Sequence, residues 1–277
     1  MFQRRRERRL KDLPFNRILP NILTMLALFA GLTAMRFALD ERWQAAVGSL
    51  VVAAILDALD GRIARMLRGT SKFSAELDSL SDFIGFGVAP AFILYLWTMR
   101  EAGPVGWVLV LLFSICCALR LARFNTDLEE PDPSAWEKNF FIGMPTPGGA
   151  GVVLLPMVIS FQAGDGFFRQ PYVVAVFLIV VAFFLVSRFP TYSFKNMRVA
   201  LRFVLFTLLG FGLFAALAVS APWLALTLFT CAYLATLPFA YRSYQARKRQ
   251  QGTVGEDEVA EEEEEEEEEE HEDAPLE

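Results

Sequence analysis

Histidine and cysteine are scarce in this 277-residue chain. The single histidine, His271, stands in an acidic tail, which argues against imidazole acid–base catalysis and imidazole metal ligation in the apolar body. A general base there has to be a carboxylate. The three cysteines, Cys116, Cys117 and Cys231, all fall inside apolar runs. Neither a disulfide framework nor a CxxC metal site can be built from them, and they read as core or lipid-facing residues. Basic residues are missing from Glu256 onward, where 16 acidic residues stand without a Lys or Arg. The formal charge of -6 therefore conceals a body, residues 1–255, that carries +10.

What is present is apolar. Hydrophobic residues make up 54% of the chain and mean hydropathy is +0.37, too high for an ordinary soluble domain. The composition fits an all-α, polytopic membrane bundle. A basic membrane body suits anionic lipid surfaces and phosphate-bearing substrates, with no call for nucleic acid as a partner.

Three regions follow. Residues 1–17 are a basic segment in which seven basic residues are interleaved with Phe2, Leu10, Leu13 and Phe15, as in an interfacial segment. Residues 18–245 form the membrane domain. Residues 246–277 form an acidic tail that includes ten consecutive glutamates and should be disordered. Candidate spans lie at about 18–39, 43–61, 76–99, 105–123, 145–163, 171–188, 199–219 and 222–241, each measured against the ~20 residues needed to cross a bilayer. The first is too long for a signal-peptide core and lacks a clear cleavage site, so it reads as a retained helix. Pro104, Pro171 and Pro222 mark helix starts.

Charge tests this count of about eight. With both termini in the cytoplasm, 22 of the 26 basic residues fall on inside segments. Only Arg36, Arg42, Arg100 and Arg169 fall outside, a strong positive-inside bias. The junction of the second and third spans is then cytoplasmic.

That junction carries four aspartates. Asp57 and Asp60 are three residues apart, and Asp78 and Asp82 four apart, so each pair shares one helix face. A carboxylate in or near a bilayer is expensive and marks function by default. Four ionised carboxylates brought together repel, and divalent cations remove the conflict. All-oxygen ligands suit Mg²⁺, Mn²⁺ or Ca²⁺. Gly61 and Ala64 leave room for a substrate beside the first pair, and Arg65 can bind a phosphate oxygen. Metal, arginine and an aspartate base together suggest phosphoryl-group chemistry. A structural ion cluster is the plainer alternative.

The string resembles the signature of the CDP-alcohol phosphotransferases, D-x2-D-G-x2-A-R-x8-G-x3-D-x3-D, with one departure: Ser74 stands where that family has glycine. The strings L-P-N-I-L-T-M-L-A-L-F-A-G-L, S-K-F-S-A-E-L-D-S-L-S-D, F-G-V-A-P-A, A-L-R-L-A-R-F-N and F-I-G-M-P-T-P-G-G-A are similar to those of the integral-membrane bacterial phosphatidylserine synthases. The resemblance implies a helical membrane enzyme of the bacterial inner membrane, commonly a homodimer, with CDP-diacylglycerol and serine as substrates and its active site facing the cytoplasm. It implies a centre of two Mg or Mn ions held by Asp57, Asp60 and Asp78. Asp82 would complete that centre and act as base. Gly61, Ala64 and Arg65 would shape the CDP pocket. Ser74, in the turn before the third span, is expected either to be tolerated or to cap the helix.

Other residues are more open. Arg120, Arg123 and Asn125 can bind a serine carboxylate or a lipid phosphate, or merely snorkel at the membrane edge. The loop of Gly143, Pro145, Pro147, Gly148 and Gly149 either bends a helix beside the pocket or starts one. Lys195, Arg198 and Arg202 can hold an anionic head group or simply obey the inside rule. Alternative acceptors are glycerol 3-phosphate, inositol phosphate and choline. A cation transporter with an aspartate site is the competing class, although such sites tend to lie near the membrane midplane.

Overall fold

The computed structural model describes residues 15–66, 72–127, 140–187, 190–192 and 204–239. Its helices in chain order are α1 (Phe15–Leu39), α2 (Trp43–Met66), α3 (Lys72–Asp82), α4 (Ala89–Trp97), α5 (Gly103–Asp127), α6 (Thr146–Val153), α7 (Leu155–Ala163), α8 (Pro171–Val186), α9 (Val204–Ser220) and α10 (Pro222–Phe239). The prolines expected at helix starts take those places: Pro104 is the second residue of α5, and Pro171 and Pro222 open α8 and α10.

The chain is an integral membrane protein. Five stretches of the described residues are long and apolar enough to span: Leu19–Leu39, Phe73–Trp97, Met99–Thr126, Thr146–Ala163 and Pro222–Phe239. Helices α8 and α9 are apolar but have only 16 and 17 residues. Helix α2 is long enough, but its second half carries Asp57, Asp60, Arg62 and Arg65. Large apolar side chains such as Phe29, Ile55, Trp107, Ile115 and Phe183 point outward, as lipid-facing residues do.

Two details add to the expected all-α bundle and its span at 145–163. That span is present as Thr146–Ala163, with a break at Leu154 between α6 and α7. Pro156 supplies no N–H to the turn behind it, which is sufficient cause for the break. The fold also holds one strand pair: β1 (Phe140–Ile142) runs antiparallel to β2 (Pro190–Tyr192), with Phe141 opposite Thr191. Three-residue strands are too short to show a period of two in the sequence.

Helix α1 packs along α2 and also meets α3 and α4. The main core lies where α4, α5, α6, α7 and α8 come together, around Ile93, Leu94, Trp97, Phe113, Met157 and Leu178, all at most 2% exposed. Between α3 and α4 the helix widens into a π-helical stretch, Phe83–Val88. Pro90 follows it and offers no N–H back to the wide turn. Gly31 of α1 faces this stretch: a Cβ at Gly31 would lie 3.0 Å from the Gly85 Cα. The bare backbones let α1 close onto the segment that follows Asp82.

The far ends of these helices gather at the opposite end of the bundle. A cleft of about 460 Å³ there is lined by Glu41, Arg42, Trp43, Trp97, Phe161 and Asp165. Asp165 pairs with Arg169 at 2.6 Å, and Arg169 lies over the Trp97 ring. Trp43 opens α2 and Asp60 comes 17 residues later, about 25 Å along the axis. The aspartates and this outer cleft therefore occupy opposite ends of α2.

Candidate metal centre

Asp57 and Asp60 sit in the last turns of α2, and Asp78 and Asp82 in the last turns of α3. The two helices bring the pairs together. Carboxylate oxygens of Asp57, Asp60 and Asp78 all lie within 4.8 Å of one another. Asp82 joins this triad through Asp57, within hydrogen-bonding reach of it. It stands on the last turn before the π-helical stretch.

The triad is held by α1, a contribution the spacing motif does not contain. Asp60 is only 4% exposed. The Thr24 hydroxyl donates to Asp60 Oδ2 at 2.6 Å and also lies 3.1 Å from the Pro20 carbonyl. Ser81 donates to the Thr24 carbonyl at 3.2 Å. Thr24 thus ties the carboxylate of α2 to both α1 and α3. Asp78 differs: its Oδ1 is buried and has no hydrogen-bond partner among the described residues. A buried, bare carboxylate oxygen facing two further carboxylates is costly unless a cation completes it. Hard oxygen donors in this arrangement fit a divalent cation such as Mg²⁺, Mn²⁺ or Ca²⁺.

The residues between the pairs stand as follows. Gly61 and Ala64 are half-buried and Arg65 is exposed. A Cβ at Gly61 would lie 3.7 Å from Arg65 Nη1, so the guanidinium folds back along α2 beside the bare backbone. Ser74 is not a cap. It lies inside α3, which begins at Lys72, and donates to Asn21 Oδ1 of α1 at 2.7 Å.

Three residues of α5 separate in role. Arg120 turns into the site: it lies within electrostatic reach of Asp82, and its Nη1 donates to Thr146 Oγ1 at 2.5 Å. Asn125 accepts from Ser79 at 3.1 Å, between the two aspartates of α3. Arg123 turns away and donates to the Val186 carbonyl at the end of α8. The loop before α6 does start a helix: Gly143 has φ 85° and Pro145 is the extended residue before Thr146. Lys195, Arg198 and Arg202 lie outside the described residues, as do the first 14 residues and everything after 239.

A family model for CDP-alcohol phosphatidyltransferase matches residues 17–188, which contain all four aspartates, Thr24 and Arg120. The chain belongs to this family. A second model, CDP-alcohol phosphatidyltransferase 2, matches residues 202–238, covering α9 and nearly all of α10. Among curated relatives, the CDP-diacylglycerol–serine O-phosphatidyltransferase of Mycobacterium leprae is 40% identical over 240 residues, 87% of this chain and 79% of that protein. The protein of the same name from Mycobacterium tuberculosis is 39% identical over 226 residues, 82% of this chain and 79% of its own length. That from Helicobacter pylori is 33% identical over 219 residues, 78% and 88% respectively. The family's aspartate string is thus a folded site in this chain, with Thr24 and Arg120 built around it.

Proposed function

We propose that this protein transfers the phosphatidyl group of CDP-diacylglycerol to the hydroxyl of L-serine, forming phosphatidylserine and CMP. The observation that carries the reading is the convergent triad of Asp57, Asp60 and Asp78, with its bare buried oxygen, in a chain 40% identical to a protein of that name.

The roles follow from position. Asp57, Asp60 and Asp78 would hold two divalent ions, Mg²⁺ or Mn²⁺, with Asp82 completing the set. When bound, such ions neutralise charge on the pyrophosphate and on the leaving oxygen. Asp82 takes the proton of the serine hydroxyl. The serine oxygen then bonds to the β-phosphorus, the one bearing diacylglycerol, and the bond from that phosphorus to the bridging oxygen breaks. CMP leaves with the electron pair. Gly61, Ala64 and Arg65 border the CDP moiety, with Arg65 turned along the bare backbone toward its phosphates. Ser74 braces α3 against α1. Arg120 and Asn125 face the acceptor side, while Arg123 stabilises the end of α8.

The setting is a bacterial inner membrane crossed by eight spans, with both termini and the aspartates on the cytoplasmic side and two copies forming a homodimer. The positive-inside bias supports that orientation. Acyl chains then stay in lipid while soluble serine meets the head group at the membrane edge.

The test is purified protein given CDP-diacylglycerol and Mg²⁺ or Mn²⁺ with each alcohol in turn. CMP release that depends on serine is the expected result. Release with glycerol 3-phosphate, inositol phosphate or choline, and none with serine, would overturn the acceptor.

A further inference from the structure

Two buried polar atoms, one of them on an arginine within electrostatic reach of Asp82, are used by nothing described above. Arg120 Nε and the Tyr233 hydroxyl are both buried and lack a hydrogen-bond partner among the described residues. They come from distant parts of the chain, α5 and α10. Arg120 lies within electrostatic reach of Tyr233 on one side and Asp82 on the other. The phenol end of Tyr233 rests on the first turn of α6, where a Cβ at Gly148 would lie 3.1 Å from its oxygen. A side chain at that position would press on the phenol. Thr146, in the same turn, holds the Arg120 Nη1.

A buried guanidinium N–H and a buried phenol O–H without acceptors are expensive. Both are donors, and the amino end of α6 adds positive potential beside them. A small anion that accepts from both resolves the cost. Carboxylate and phosphate oxygens can both accept such bonds; of the two, serine, the acceptor proposed above, brings a carboxylate.

We infer that Tyr233 and Arg120, backed by Gly148, form the subsite that grips the carboxylate of the acceptor amino acid and places its hydroxyl at Asp82. Tyr233 is the specificity-determining residue of this pair. Arg120 attracts any anion, whereas the phenol adds a directed bond that only a correctly placed carboxylate receives. This inference rests on the acceptor being serine.

The test compares L-serine with serinol, the analogue that has CH2OH in place of the carboxylate, in wild type and Tyr233→Phe. Removing one hydrogen bond to a charged group costs about tenfold or more. Tyr233→Phe should therefore lower kcat/KM for serine about tenfold, chiefly through KM, with KM for CDP-diacylglycerol unchanged. The preference for serine over serinol should fall by the same factor. Gly148→Ala, which displaces the phenol, should reproduce the pattern at a melting temperature close to wild type. An unchanged serine-to-serinol ratio in Tyr233→Phe would overturn the inference, as would an equal loss on both acceptors. If wild type itself releases no CMP with serine, the acceptor assignment fails instead, so the two failures are distinguishable.

Discussion

Asp78 and Thr24 make opposite contributions to one centre. Asp78 presents a bare oxygen, and Thr24 spends its hydroxyl holding Asp60 still. Asp78→Asn should therefore remove serine-dependent CMP release by on the order of 10²-fold, because a neutral amide cannot replace a charged oxygen donor. Melting in detergent without metal should not fall, since one of the crowded carboxylates has gone. Thr24→Val keeps the shape and removes only the hydroxyl. It should cost about 10-fold, the usual scale for a group that orients a metal ligand, and should raise the Mg²⁺ concentration needed for half-maximal activity. A Thr24→Val protein with an unaltered Mg²⁺ requirement would show that Asp60 needs no such support. The aspartates were legible in the sequence because their spacing alone puts each pair on one face. Thr24 was not: a threonine in an apolar helix is commonplace, and its partner lies 36 residues away. Tyr233 was hidden for the same reason, since nothing local marks an aromatic in α10 as facing α6.

At the scale of elements, the site depends on how closely α1 meets the π-helical stretch after Asp82. Gly31 and Gly48 offer a controlled comparison within adjacent helices. A Cβ at Gly31 would meet the Gly85 backbone at 3.0 Å, whereas one at Gly48 would meet nothing within 4 Å. Gly31→Ala should destabilise by about 1–3 kcal/mol through overpacking. It should also reduce activity, because the displaced segment carries Asp82 at its start. Gly48→Ala should be neutral or stabilise by about 0.5–1 kcal/mol, the helix-propensity gain. Thermal melting in detergent with parallel CMP assays checks both, and equal effects at the two positions would contradict the close approach. Sequence patterning located nearly every helix here because apolar runs and opening prolines are local signals. The π-helical widening, the break at Leu154 and the short β1–β2 ladder were not legible. Each depends on backbone hydrogen bonding or long-range pairing rather than on composition.

For the whole molecule, the decisive variable is which end of the bundle faces the cytoplasm. The aspartates and the Trp43–Asp165 cleft lie at opposite ends of α2, so fixing the side of one fixes the other. Arg36, Arg42, Arg100 and Arg169, the four basic residues assigned outside, are few against 22 assigned inside. That asymmetry supports the proposed orientation, with the aspartates inward. Cysteine labelling reads the orientation directly, after Cys116, Cys117 and Cys231 are replaced by alanine in an active background. Asp165 is exposed beside the cleft, and Met66 is 82% exposed at the end of α2. In intact spheroplasts a membrane-impermeant maleimide should label Asp165→Cys and spare Met66→Cys, which should react only after permeabilisation. The reverse pattern would place the aspartates outside, away from a cytoplasmic supply of CDP-diacylglycerol and serine, and would remove the topological support for the proposed reaction. Labelling of both from one side would mean that α2 does not cross the bilayer, and the charge-rich second half of that helix would then lie along the interface rather than at the mouth of a span.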